Sequence, residues 1–191
     1  MSPEHTPLKD QQRKNRRLLL TVAAIFIVPL VFAKLVLGLG WYTPGVSNKG
    51  NLLEPPIEIS STENALLPPQ WRIATVVPET CAEACEHALY VLSQSFHAMG
   101  RMQNRVAPVG IQAEERLSQP ALPADSTLTF ITLPEAVESL QDIPANSLLI
   151  IDPLGNVVMW YEGSEDRQEM IMQARDLLSD LKKMLKMSRV G

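Results

Sequence analysis

The longest apolar run lies near the start of the chain. Leu18 to Gly40 reads LLLTVAAIFIVPLVFAKLVLGLG, which matches the ~20 residues a helix needs to cross ~30 Å of hydrocarbon at ~1.5 Å per residue. One transmembrane helix is therefore predicted over 18–40. Pro29 is tolerated inside a membrane helix, and Lys34 stands near enough to the far end to snorkel. Residues 41–70 follow as a proline-rich stalk, with Pro44, Pro55, Pro56, Pro68 and Pro69 opposing regular structure. Shorter elements then alternate. Trp71 to Val77 reads as a strand closed by Pro78, and Thr80 as the N-cap of a helix over Cys81 to Met99 that ends at Gly100. Val106 to Ile111 and Thr127 to Leu133 are extended runs separated by a polar, proline-bearing loop, and Pro134 to Leu140 is a short helix. Ser147 to Asp152 and Val157 to Tyr161 flank Pro153-Leu154-Gly155-Asn156 as a β-hairpin. A last helix, capped by Ser164, buries Ile171, Ala174, Leu177 or Leu178, Leu181 and Leu185. This order predicts an α/β domain over 71–191, a central sheet flanked by helices.

Composition divides the chain further. Of 191 residues 46% are hydrophobic and 20% charged, enough for one packed domain of about 100–150 residues. Two cysteines exclude a disulfide-rich scaffold and a four-thiolate zinc cluster, and a net charge of -4 argues against nucleic acid as a partner. Six of the 17 basic side chains but two of the 21 acidic ones fall in residues 1–40, leaving 11 against 19 in the body. Arg13, Lys14, Arg16 and Arg17 abut the span, and Trp41 with Tyr42 follow it as an interfacial pair. By the positive-inside rule residues 1–17 form a cytoplasmic tail and the rest lies outside. In a bacterium that means the inner membrane with a periplasmic domain, where disulfides persist. A cleaved secretory signal is the competing reading, since Gly38-Leu39-Gly40 offers small residues, but the run exceeds the ~7–15 residues of a signal core. No internal repeat, phosphate-binding glycine loop, Ser-His-Asp spacing or HExxH motif occurs.

The chemistry centres on Cys81-Ala82-Glu83-Ala84-Cys85 at a helix start. Helical residues four apart share a face, with Cα atoms about 6 Å apart, inside the ~4.4–6.8 Å window for a disulfide. Reduced, the same pair would select a soft ion, Cu(I) above all. Taking ~100° per residue, the cysteines share their side with Ala88, Leu89, Leu92, Phe96 and Met99, while His87 and His97 point away and read as surface residues. Glu79, Glu83 and Glu86 surround the pair, and no Lys or Arg occurs between Arg72 and Arg101. That acidity opposes a strongly depressed thiol pKa and favours holding a cation. Met170, Met172, Met184 and Met187 read as core filler or exposed stems rather than ligands, and Trp71 and Trp160 as sheet packing.

A strand, CxxxC at a helix start, a further strand, the IDPLGNVV hairpin and a final amphipathic helix, all behind one anchor, resemble the Sco family. That resemblance implies a membrane-tethered thioredoxin-like fold from Trp71 to about Met187. It implies copper and thiol-redox handling during cytochrome c oxidase assembly, with Cys81 and Cys85 on the family's copper-binding cysteines. The family's third ligand is a histidine in the loop before the late hairpin. Here that loop reads Gln141-Asp142-Ile143-Pro144-Ala145-Asn146 and holds no histidine, which argues against a three-ligand site of the family type and leaves two-thiolate Cu(I) binding and dithiol exchange open. Ile143-Pro144 resembles the cis-proline position of thioredoxins. Three functions follow for the pair. A Sco-like accessory factor would pass Cu(I) or electrons to a respiratory oxidase subunit's copper-site cysteines. A general thiol-disulfide oxidoreductase would attack with Cys81 and resolve with Cys85. A structural disulfide would staple a redox-inert interaction domain.

Overall fold

The computed structural model describes residues 8–39, 48–115, 120, 122 and 126–188. The chain divides into two units, Met1–Val46 and Ser47–Gly191.

In the first unit, α1 (Leu8–Gly38) carries the apolar run and extends back through the basic residues. Its 31 residues correspond to about 46 Å, longer than a hydrocarbon core. Gln12–Val36 is the one segment among the described residues long and apolar enough to cross a membrane. Its leucines and phenylalanines, with Val22, Val28 and Val31, are exposed within the protein, as a lipid-facing surface would be. Thr21 bonds back to the Arg17 carbonyl at 2.9 Å, which satisfies its hydroxyl inside the helix. Trp41, Tyr42 and His5 lie outside the described residues.

The second unit is built on a six-stranded sheet in the order β1-β6-β5-β2-β3-β4. The strands are β1 (Asn51–Glu58), β2 (Trp71–Val76), β3 (Val106–Gln112), β4 (Thr129–Thr132), β5 (Leu148–Ile151) and β6 (Asn156–Tyr161). β2, β3 and β4 are parallel, whereas β5, β6 and β1 run antiparallel beyond β2. With strands this short, alternate residues feed two opposite cores. Ile73, Leu148 and Ile150 join a cluster with α3 (Glu83–Ala98) and α5 (Arg167–Met187). Ala74, Leu149 and Ile151 join another with Ile59, Leu67, Ala136 and Leu140, around α2 (Ser61–Asn64) and α4 (Pro134–Ser139).

The expected stalk is corrected by this fold. Residues 51–58 form the edge strand β1, antiparallel to β6, and residues 59–67 cover one sheet face. Prolines are compatible because they sit at an edge. Pro55 and Pro56 lie where the ladder to β6 is interrupted between Leu52 and Ile57. Both ends of the segment are fastened: Ile59 N–H donates to Gly155 O at 2.9 Å, and Lys49 and Gly50 N–H donate to Asp180 Oδ2 at 2.6 and 3.2 Å. Asp180 is 1% exposed and also accepts from the Tyr161 hydroxyl and the Lys183 ammonium. Burial alone would raise its pKa, but these donors together hold the carboxyl below the usual aspartate value. Tyr161, buried and facing Asp180, is pushed up. Gly50 packs so close that a Cβ there would lie 2.4 Å from the Tyr161 ring.

Two helix starts also differ from expectation. α3 begins at Glu83 with Ala82 as N-cap and no side-chain cap, so Thr80 caps nothing and Cys81 precedes the helix. α5 is capped by Asp166, whose carboxylate accepts from Gln168 and Glu169 N–H. Ser164 stands two residues before the cap, donating to Glu169 Oε2 and accepting from Asp166 N–H. In α5, Met170 is fully buried, Ile171 and Leu178 pack at the margin of the core, and Met172 and Met187 are exposed.

Candidate functional site

β2 delivers the chain to the end of the sheet where it turns through Val77–Ala82 into α3. Cys81, in that turn, is half-buried, while Cys85, in the first turn of α3, is 2% exposed. The two sulfurs are joined as a disulfide with Cα atoms 5.2 Å apart, closer than two helical residues four apart because Cys81 lies outside the helix. The predicted face is observed: Ala88, Leu89, Leu92 and Met99 are buried with Cys85, and Cys81 and Phe96 pack against them. An uncapped helix N-terminus directly beside Cys81 favours a thiolate there when the bond opens. Glu79, Glu83 and Glu86 are exposed around it and oppose that effect. Arg72 offers no compensation. It is buried in β2, donates to the carbonyls of Pro68 and Asp152, and its pKa is lowered by burial against the pull of Asp152.

Two clefts open at the end of β2, against Val76 and Pro78. A cleft of about 280 Å³ is lined by Val76, Pro78, Val137, Leu140, Ile143 and Pro144. A second, of about 350 Å³, shares Val76, Pro78 and Val137 and is rimmed by Glu79, Glu114 and Glu115. Asn146, in the left-handed region at φ 58°, lines the first, and its Oδ1 is buried without a partner. Sequence reasoning missed Asn146, although a Pro-Ala-Asn-Ser run is turn chemistry. It also missed Gln112, because the apolar run ends one residue early, at Ile111.

Two expectations are corrected. The cis peptide bond among the described residues is Glu54–Pro55, so Ile143–Pro144 is trans. The turn before β5 is made instead by Asn146 and closed by Ser147 N–H donating to Pro144 O. His87 and His97 are half-buried rather than on the surface, since α3 packs on α5 as well as on the sheet. His97 meets Phe96 edge-on at 5.8 Å. Among the described residues no three His, Cys, Asp or Glu side chains are gathered as a metal site. Reduced, Cys81 and Cys85 would present two thiolates, a soft donor set that suits Cu(I) better than oxygen-seeking ions.

A family described as transmembrane-like, thioredoxin-like, C-terminal domain matches residues 71–188. The chain belongs to this family. Its matched segment begins at β2 and ends one residue past α5. Solved structures similar to the chain include copper-bound ScoI of Bradyrhizobium japonicum, at 15% identity over 59% of this chain and 87% of that one (TM-score 0.40). Apo Sco1 of Thermus thermophilus is 13% identical over 73% and 99% (TM-score 0.44). A putative protein disulfide isomerase of Bacteroides thetaiotaomicron is 15% identical over 64% and 77% (TM-score 0.42). No curated protein matches the chain.

Proposed function

We propose that this chain is a membrane-anchored, Sco-like accessory factor that exchanges electrons through Cys81 and Cys85 with cysteines of a respiratory oxidase's copper site. The observation that carries the reading is the asymmetry of the pair: one sulfur half-exposed, its partner buried at the helix start. A partner thiolate attacks Cys81 Sγ, the Cys81–Cys85 bond breaks, and Cys85 leaves with the electron pair and takes up a proton. The partner's second thiolate then attacks its own sulfur in the mixed disulfide and releases Cys81 as a thiolate. The partner dithiol has lost two electrons and the pair has gained them; run in reverse, the reduced pair returns a partner disulfide to the dithiol. The apolar cleft ending at Pro78 would hold the chain on either side of the partner's cysteine. Arg13 to Arg17 would keep the N-terminus cytoplasmic and the domain in the periplasm of a bacterium.

The full chain in detergent micelles should equilibrate with glutathione buffers, and Cys81→Ser should abolish exchange. A pair resisting reduction, with no transfer to any dithiol, would identify a structural staple instead. In intact spheroplasts a membrane-impermeant maleimide should label reduced Cys81; labelling only after lysis would reverse the orientation.

The exposed Glu79, Glu83 and Glu86, in a stretch with no lysine or arginine between Arg72 and Arg101, favour a second use of the reduced pair, carrying Cu(I) as cargo. Titration of the reduced full chain should then give about one equivalent bound, and the double Cys→Ser variant none. Equal binding by both would end that use.

A further inference from the structure

Reduction turns Cys85 from a bonded sulfur into a thiol with a proton to place, in a site 2% exposed. A spare acceptor stands on the same face of the sheet. Gln112, the last residue of β3, is 2% exposed; its Nε2 donates to Thr132 Oγ1 at 3.2 Å, while its Oε1 is buried without a partner.

Strand register gives its placement. Val76 is level with Ile111 in the parallel β2–β3 ladder, so Gln112 is level with Val77, four residues before Cys81. The Val77 N–H closes this corner by donating to Ile111 O at 2.7 Å. Alternation along β3 puts Gln112 on the face of Gly110, where a Cβ would meet the Phe130 ring at 2.6 Å and Val77 Cγ2 at 3.3 Å. Val77 and Cys85 belong to one core cluster, against which Cys81 and Phe130 pack. His87 Nδ1 also lacks a partner, but two residues on from Cys85 it lies on the other side of α3, and two more buried polar groups are spent or distant. Thr75 Oγ1 donates to Ser147 O at 2.9 Å. Ser93 Oγ lacks a partner but lies eight residues along α3 from Cys85, about 12 Å away.

We infer that Gln112 Oε1 is the acceptor for the Cys85 thiol proton in the dithiol form, which makes Gln112 a positioning residue for the exchange; this rests on the redox function proposed above. When a partner thiolate attacks Cys81 and the disulfide breaks, Cys85 leaves with the electron pair, takes a proton from the partner's second thiol, and donates it as a hydrogen bond to Gln112 Oε1. The disulfide form leaves that oxygen unpaired and the dithiol form pairs it, so the amide biases the couple toward reduction.

The test is the redox equilibrium of the full chain in micelles against glutathione. Gln112→Met keeps the length and apolar bulk but removes the acceptor. It should shift the equilibrium at least tenfold toward the disulfide, about 30 mV for a two-electron couple. Thr132→Val, which frees Nε2 but keeps Oε1, should stay within twofold of the natural chain. The side-chain amide carbon resonance of Gln112 should also move on reduction of the natural chain, a measurement that stands if the Met variant fails to fold. A Met variant within twofold, or an unmoved resonance, overturns the inference while leaving the redox function intact. A natural chain that exchanges with no dithiol overturns both.

Discussion

The two faces of the sheet are covered by different means. One carries α3 and α5, of 16 and 21 residues, whose buried stripes supply Leu89, Leu92, Leu177, Leu181 and Leu185. The other carries α2 and α4, of four and six residues, too short to hold themselves by helix cooperativity. That second cover is tied by one polar device. Glu63, 6% exposed on α2, accepts from the backbone N–H of Glu135 and Ala136 at 2.9 and 2.7 Å and so satisfies the start of α4 from 72 residues away. The chemistry of the pair sits on the face with the long helices, whereas the apolar cleft opens by α4. A rigid wall thus backs the disulfide, and a lightly built one borders the place where a partner would lie.

Four measurements break or sharpen this contrast. The largest effect belongs to the long-helix face: Leu177→Ala, fully buried on α5, should cost about 2–5 kcal/mol in chemical denaturation. A cost below about 1 kcal/mol would mean that this wall is not the rigid one. Next comes Glu63→Ala, which strands two N–H groups and should cost about 1–3 kcal/mol. It should also raise amide hydrogen exchange around α4 more than around α3, and uniform exchange would show the two covers to be one cooperative unit. Asp180→Asn should cost about 1–2 kcal/mol at neutral pH. Because the Asp180 carboxyl is held below its ordinary value, its contribution is complete above the unfolded aspartate pKa and is lost as pH falls through the lower folded one. The natural chain should therefore lose stability below about pH 4 more steeply than the Asn variant; parallel curves would remove Asp180 from that role. The smallest effect belongs to Met172→Ala, 54% exposed on α5, within about 0.5 kcal/mol.

The same contrast explains what the sequence made legible. α3 and α5 announce themselves because Ala88, Leu89, Leu92 and Ala174, Leu177, Leu181 recur at the helical period. The hairpin was legible because Pro-Leu-Gly-Asn between two apolar runs leaves few other conformations; Asp152 closes it by accepting from Leu154 and Asn156 N–H. β1 and α2 were not, because five prolines in 41–70 dominate the composition. Ile57, Ile59 and Leu67 are too sparse to show a period, and their partners lie far along the chain. The Cys81–Cys85 pair was readable from its spacing alone. The acceptor beneath it and the asparagine in the cleft were not, since both depend on the register of β3 and on a turn before β5.

The fastening of Lys49 and Gly50 to Asp180 sets a practical limit on how the second unit can be produced by itself. A fragment starting at Trp71, where the family match begins, would bare the outer edge of β6 and uncover the side chains that Ile59 and Leu67 protect. Such a product should aggregate by edge pairing, whereas one starting at Asn48 retains the strand, the clasp and the lid together.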